Sequence, residues 1–206
     1  MAIARAIDRL LTRSLHGPGR ACGTSCYRTS RLLGAAALAV FATVAAQTTT
    51  PDRAISVTAQ EQGNALAAAM LREDYAAVAA TACSPVLARV GGAAALARLL
   101  EVSFKIMQQQ GRQLETMQFE AASVIVDTSQ TRFALVPYRS VVRVRDSRVS
   151  LESWYLGVQN KGADAWCFID TAALTASILK ELYPGAPAEL RLPPQAQAAI
   201  THDDTH

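Results

Sequence analysis

The chain has 206 residues, is 50% hydrophobic and carries a formal net charge of +3 at pH 7. Six of its 20 basic residues but only one of its 17 acidic residues, Asp8, lie in residues 1–46, so the remainder is weakly acidic. That balance excludes the basic surface expected of a nucleic-acid-binding protein. The remaining residues suffice for one domain with a hydrophobic core.

Residues 1–46 have the form of an export signal. An arginine-rich segment precedes the uncharged run 32–46, which ends in small residues before Gln47. This run is shorter than the roughly 20 residues that a helix needs to cross a bilayer. We therefore predict cleavage before Gln47 and a periplasmic or secreted protein. The alternatives are an organelle transit peptide and a membrane anchor at 32–46, which would make the chain a membrane-tethered interaction module.

Two cysteines, Cys83 and Cys167, lie outside the predicted signal. An exported protein can join them in a disulfide, and two buried free thiols are the alternative, since the sequence does not give the distance between their Cα atoms. Two cysteines without a nearby histidine do not make a zinc site. We predict no metal and no cofactor.

Two amphipathic helices are expected after a short tether at 47–57. The first is predicted to begin at the capping box Thr58–Glu61, and the second to lie between Gly91-Gly92 and Gly111. Apolar residues at helical spacing predict one buried stripe on each helix. The stripes consist of Leu66, Met70, Leu71, Tyr75 and Val78 on the first helix, and Leu96, Leu99, Leu100, Ile106 and Met107 on the second.

The hydrophobic period becomes that of extended strands after Gly111. Strands are predicted over 113–126, 131–145, 149–160 and 165–169, and their short connections predict an antiparallel meander. Pro137 lacks a backbone donor, so we expect an edge, a bulge or a bend there. A closing helix is predicted from about Asp170 through Leu182. The proline-rich segment 184–206 is predicted as a flexible tail, extended or disordered.

These elements predict an α+β fold for domain 58–183, with helices packed on one side of a curved antiparallel sheet. The chain resembles the nuclear transport factor and ketosteroid isomerase (SnoaL-like) superfamily of cone-shaped domains over about residues 60–182. The segments that carry the resemblance are Glu73-Asp74-Tyr75, Ser84-Pro85, Gly91-Gly92 and Trp166–Asp170. The resemblance implies a hollow between sheet and helices, which enzymes, transport factors and binding domains all use.

Family enzymes resemble one of two catalytic schemes. A His–Asp pair for dehydration is excluded, because the histidines are His16, His202 and His206, in the signal and the tail. An Asp base with a tyrosine donor for isomerisation leaves Asp74, Tyr75 and Tyr138 as catalytic candidates. Tyr155 and Tyr183 are further tyrosine donors. The other acids have ordinary explanations, since Asp127 and Asp146 lie in predicted turns and Asp170 has the position of a helix cap.

Aromatic side chains suggest a binding function. Tyr75, Tyr138, Trp154 and Trp166 are the candidate ligand-pocket residues, with core or dimer contacts as the alternative. The arginines at 139, 143, 145 and 148 are interpreted as a solvated sheet face.

The leading hypothesis is an exported, non-catalytic domain that binds a small apolar ligand or a protein partner. The sheet face around Trp154 and Leu156 is expected to form a homodimer. The rival is a small-molecule isomerase or lyase that uses an Asp/Tyr pair in the hollow.

Overall fold

The computed structural model describes residues 50–193 and 197–202. The predicted signal, its cleavage point and the alternative anchor lie outside the described residues. The helices are α1 (Thr50–Leu71), α2 (Tyr75–Ala80), α3 (Ser84–Val90), α4 (Ala93–Gln109) and α5 (Ala176–Leu182). The strands are β1 (Arg112–Phe119), β2 (Val124–Asp127), β3 (Thr131–Val144), β4 (Ser147–Asn160), β5 (Cys167–Asp170) and β6 (Gln197–His202). Among the described helices, none is long and apolar enough to cross a membrane.

The strands form one curled, half-barrel sheet of six antiparallel members. The long hairpin of β3 and β4 is its centre. Both β1 and β2 pair with the free edge of β3, and both β5 and β6 pair with the free edge of β4. The α+β class and the antiparallel meander are therefore confirmed. The predicted strand 113–126 is two strands, and part of the predicted tail pairs with β4 as β6.

Pro137 lies where the neighbour of β3 changes. Tyr138 pairs with the last residue of β1, Phe119, and Leu135 pairs with the first residue of β2, Val124. The carbonyl of Pro137 accepts a hydrogen bond from the N–H of Glu120, so the proline nitrogen faces the same edge, in the gap between β1 and β2. The N–H that proline lacks would point into this gap, so its absence removes no hydrogen bond to β1 or β2.

Helix α1 begins earlier than the capping box predicts. It starts at Thr50, so residues 50–57 are helical and continuous with the rest of α1. The hydroxyl of Thr58 donates to the carbonyl of Ala54 one turn earlier, 3.0 Å away, as a threonine inside a helix can do. The predicted N-terminus at Thr58 is therefore wrong.

The predicted first helix is also divided in two. Glu73 has a left-handed backbone with φ of 58°, and the N–H of Asp74 bonds back to the carbonyl of Ala69, which closes α1 before α2 begins. The side chain of Glu73 accepts a hydrogen bond of 2.7 Å from Gln108 on α4. No glycine marks this break, so a continuous helical stripe was the natural expectation.

The sheet has helices on both of its faces. The inner face, with Ala134, Val136, Tyr138 and Tyr155, packs against α1, α2 and α4. Part of the outer face packs against α5 and the chain after it; the buried side chains there are Phe133, Leu135, Leu156, Val158, Leu179 and Leu190. The expectation of helices on one side only is wrong, because the closing helix crosses to the opposite face.

Leu156 is fully buried beneath this outer layer, and Trp154 packs at its margin. Of the two side chains that motivated a dimer through the sheet, Leu156 is thus covered within the chain and Trp154 is partly covered. The uncovered part of the outer face carries ion pairs. Arg139 contacts Glu152 at 2.8 Å, and Arg143 and Arg148 both contact Glu115. The expected solvated face of arginines is present there.

Candidate functional site

A cavity of about 330 Å³ lies between α4 and the ends of α1, α2 and β5. The apolar stripe predicted for α4 is only partly buried, with Leu99 41% and Ile106 47% exposed. Leu99 lines the cavity instead of packing in the core. The cavity walls include Leu66, Met70, Val78, Leu100, Phe104 and Phe168. This volume lies within the range of small-molecule pockets, and the lining is mostly apolar.

One part of the cavity wall is polar. Tyr155 on β4 and Asp170 at the end of β5 both line the cavity, and they are direct partners in the strand register. Residues opposite each other in antiparallel strands project from the same face, with Cβ atoms roughly 5 Å apart. Tyr138 stands behind Tyr155, with ring centroids 5.2 Å apart. An acidic residue and a tyrosine are therefore neighbours at the wall of an apolar space.

The two carboxyl oxygens of Asp170 have different surroundings. Oδ1 accepts a hydrogen bond of 2.9 Å from the N–H of Ala172 and caps the short 3₁₀ turn Thr171–Ala173. Oδ2 is buried and has no hydrogen-bond partner among the described residues. Burial raises the pKa of Asp170 to about 6, partly opposed by the bond from Ala172. Desolvation, followed by the charge of Asp170, raises the pKa of Tyr155.

The acid favoured by the sequence does not reach this site. Asp74 is exposed and caps α2, accepting a hydrogen bond of 3.0 Å from the N–H of Ala77. Tyr75 packs against Phe104 with ring centroids 5.4 Å apart, and burial raises its pKa. The predicted pairing of Asp74 with a tyrosine in the hollow is wrong, because the side chain of Asp74 stabilises a helix end at the surface.

The four predicted pocket residues occupy different places. Tyr75 and Tyr138 belong to the core around the cavity, and neither is among the described residues that line it. Trp166 lies against Gly157, where an added Cβ would be 3.1 Å from the indole ring. Trp154 contacts the outer layer under α5. The structure brings Tyr138 next to the site through Tyr155, and it places Trp154 on the other side of the sheet.

Sequence reasoning passed over Asp170 because a helix cap was a sufficient role for it. The cap is real, but it uses only one oxygen. Finding the second role would have required the register between β4 and β5, which pairs Asp170 with Tyr155. Six residues, 161–166, separate these strands, and a connection of that length does not determine a register.

The cysteines meet beside the same site. Cys83 and Cys167 form a disulfide with their Cα atoms 4.8 Å apart, so the first of the two sequence alternatives is the one observed. Next to it, Ala82 makes a parallel bridge to Phe168, and the N–H of Phe168 donates to Thr81 at 2.9 Å. Thr81, Ala82 and Phe168 all line the cavity, so the disulfide fastens its wall.

A second depression lies between the start of α1 and the connection from β1 to β2. It is wide and open, with a volume of about 850 Å³, and it is lined by Asp52, Arg53, Ser56 and residues 121–125 among others. Its lining combines no buried acid with a tyrosine. The smaller, apolar cavity is therefore the candidate functional site.

Comparisons with protein families, with curated proteins and with solved structures found no match to this chain.

Proposed function

We propose that this chain is an exported, cone-shaped domain of the nuclear transport factor and ketosteroid isomerase superfamily that binds a small apolar ligand under α4. The observation that carries the proposal is the 330 Å³ cavity with its aliphatic and aromatic walls. A dry cavity of about 150 Å³ accommodates a benzene ring, so this one suits a ligand roughly twice that size, with about 12 non-hydrogen atoms. The Cys83–Cys167 disulfide agrees with an oxidising compartment outside the cytoplasm.

Binding is tested by calorimetric titration of the purified protein with pentylbenzene. We expect one molecule to bind per chain. Ser103→Phe should abolish binding, because Ser103 lines the cavity and a phenyl ring there would fill it. Val102→Phe is the matched control: Val102 is on the same helix, is 56% exposed and does not line the cavity. Absence of binding to the unmodified protein would refute the proposal.

A catalytic role is the second candidate, and Asp170 is the observation that favours it. A carboxyl group with a pKa of about 6 can act as a general base near neutral pH once a movement of the cavity wall uncovers its buried Oδ2. Tyr155, its partner in the strand register, can donate a hydrogen bond to an oxygen that becomes negative. This pair replaces the one expected from Asp74. Its reaction class would be isomerisation or elimination by proton transfer at carbon.

The catalytic alternative is tested with a small β,γ-unsaturated ketone, whose conversion to the conjugated isomer is followed by ultraviolet absorbance. Asp170→Asn should remove any rate enhancement, because the amide cannot accept the proton. Asp74→Asn, the same change at an exposed cap, should leave it unchanged. If the ketone binds but isomerises no faster than in buffer, binding without catalysis is the function that stands.

Export and self-association complete the proposal. N-terminal sequencing of protein isolated from its producing cells should find Gln47 at or near the first position, and an uncut segment 32–46 would favour the membrane-tethered module.

Sedimentation of the purified protein tests the proposed homodimer. Since Leu156 is covered by the chain itself, a dimer would have to use another part of the sheet face, such as the ion-paired surface around Arg139 and Glu152.

A further inference from the structure

The cavity has a buried inner part and an exposed rim. Leu66, Met70 and Phe104 line the inner part, and none of the three is more than 8% exposed. Leu99 on α4 lines the cavity as well, yet it is 41% exposed. Ala173, at the end of the 3₁₀ turn, is the other exposed residue among the described residues that line the cavity. Leu99 and Ala173 therefore mark the rim where the cavity meets solvent.

The inner part has little to offer a polar group. Thr81 donates its hydroxyl to the carbonyl three residues earlier at 2.8 Å, and Ser103 donates to the carbonyl four residues earlier at 2.7 Å. Tyr155 is only 5% exposed. Oδ1 of Asp170 accepts from the backbone, and Oδ2 is buried out of reach of a molecule in the cavity. A polar group placed deep in the cavity would therefore lose its water without an equivalent replacement.

The rim has the opposite property, because a group held there keeps its contact with water. A molecule that is apolar at one end and polar at the other can thus satisfy both parts of the cavity at once. The volume of about 330 Å³ limits the apolar end to about 12 non-hydrogen atoms, by comparison with a dry cavity that holds benzene. Any further atoms of the ligand would have to lie outside the rim.

We propose that the ligand is an amphiphile. Its hydrocarbon part lies against Leu66, Met70 and Phe104, and its polar end stays in water at the rim formed by Leu99 and Ala173. This proposal rests on the proposed binding function and specifies its ligand class. Each methylene that enters the cavity should strengthen binding about fourfold, whereas the charge of the hydrated polar end should matter little.

The length of the hydrocarbon part is tested with straight-chain carboxylates. Hexanoate, octanoate, decanoate, dodecanoate and tetradecanoate are titrated calorimetrically at pH 7.5, below their micelle concentrations, into protein purified with its native N-terminus. We expect the affinity to rise about fourfold for each methylene from hexanoate to decanoate, and to level off beyond dodecanoate when the cavity is full. An affinity that does not depend on chain length would overturn the proposal.

The position of the polar end is tested with three probes that share a chain of ten carbons. Decyltrimethylammonium carries the charge opposite to that of decanoate, and the two should bind within about fivefold of each other, because both polar ends remain hydrated and screened. Decanedioate has a second carboxylate at the far end of the chain. It should bind at least about tenfold more weakly than decanoate, because one charged end would have to enter the apolar part.

Variants of the rim give the specific test. Leu99→Asp places a carboxylate beside the polar end of the ligand, so the affinity ratio of decyltrimethylammonium to decanoate should rise at least about fivefold. Ala173→Asp should do the same from the other side of the rim. The matched control is Ala94→Asp, since Ala94 is exposed on the same helix as Leu99 and does not line the cavity. Its ratio should equal that of the unmodified protein, and thermal unfolding checks that each variant folds.

The outcomes separate the two proposals. If pentylbenzene binds and Ser103→Phe blocks it, but decanedioate binds as tightly as decanoate, the amphiphile is refuted and the apolar binding function stands. The amphiphile is likewise refuted if neither Leu99→Asp nor Ala173→Asp changes the affinity ratio. If neither pentylbenzene nor decanoate binds, both proposals fail.

Discussion

The disulfide between Cys83 and Cys167 joins the residue that precedes α3 to the first residue of β5, only three positions before Asp170. It closes a loop across a sequence separation of 84 residues. Within that loop lie α3, α4 and strands β1 to β4, which include much of the cavity wall. The cross-link and the site thus depend on the same pair of neighbouring segments, 81–83 and 167–170.

The first prediction concerns this cross-link. Replacing both cysteines by serine should lower the free energy of unfolding, because the unfolded chain regains the freedom of a long loop. The chain-entropy relation gives about 4.5 kcal/mol as the upper value for a loop of this size, and removed native disulfides typically cost about 2 to 5 kcal/mol. Urea denaturation of the double variant measures the change.

The control is the unmodified protein with reducing agent, which should unfold at the same urea concentration as the double serine variant. A transition that moves in the serine variant but not on reduction would assign the effect to the serines instead. A variant with unchanged stability would show that the loop entropy is not what the cross-link contributes.

The second prediction concerns the contact between α1 and β1. Gly63 lies so close to Phe119 that an added Cβ would be 2.7 Å from the aromatic ring. Phe119 is fully buried, so it has no room to withdraw. Gly63→Ala should therefore destabilise the protein by about 1 to 3 kcal/mol despite the better helix propensity of alanine.

Gly185→Ala is its matched control. An added Cβ there has no atom within 4 Å, and the residue lies after α5, away from any helix interior. This variant should be neutral or slightly more stable, because alanine restricts the unfolded chain. Thermal and urea unfolding of the two variants measure the difference, and equal stabilities would contradict the close packing of Gly63.

The third prediction is a dependence of stability on pH. The pKa of Asp170 rises from its ordinary 3.8 to about 6 on folding, so the folded state holds a proton that the unfolded state releases between these values. The contribution of Asp170 to the free energy of unfolding is therefore fully present below pH 4 and is lost as the pH rises through 6. The shift corresponds to about 3 kcal/mol, using about 1.4 kcal/mol for each pH unit.

Asp170→Asn removes this titration. At pH 7 the variant should be more stable than the unmodified protein, and the gap should close towards pH 4. Asp127 should behave in the opposite way. The hydrogen bond from Arg132 lowers its pKa, so the stability that Asp127 contributes to the folded state is lost as the pH falls. Urea midpoints at half-unit pH steps test both. A stability difference for Asp170→Asn that is independent of pH would contradict the buried carboxylate.

The fourth prediction concerns a side chain that completes the end of β1. The N–H of Phe119 donates to the side-chain oxygen of Asn64 at 2.8 Å, and the carbonyl of Phe119 accepts from Gln60 at 3.0 Å. Asn64→Leu would leave the strand N–H without an acceptor, which costs about 1 to 3 kcal/mol for a buried group. Asn64→Asp keeps an acceptor and should recover much of the stability. Equal losses in both variants would contradict this role.

Parts of the fold follow from local patterns. The long hairpin of β3 and β4 was predictable because both strands are rich in β-branched residues and a short polar turn separates them. The second helix was predictable from Gly91-Gly92 before it and Gly111 after it. In these cases the residues that determine the structure are neighbours in the chain.

Other parts depend on contacts between distant segments. The break at Glu73 is supported by Gln108, which is 35 residues away, and the strand at 197–202 exists because β4 offers an edge for pairing. The candidate site has the same origin. Asp170 looks like an ordinary cap in the sequence, and only the pairing of β5 with β4 places it opposite Tyr155 at the wall of an apolar cavity.

Pro137 has a consequence for how the sheet assembles. If β3 slid along its neighbours by two residues, the ring would stand opposite a carbonyl of β1 or β2 that needs a donor, and that bond would be lost. The proline therefore penalises every such misalignment and leaves the native alignment untouched. A residue that donates no backbone hydrogen bond thus helps to determine the register of both strands, β1 and β2, that share this edge of β3.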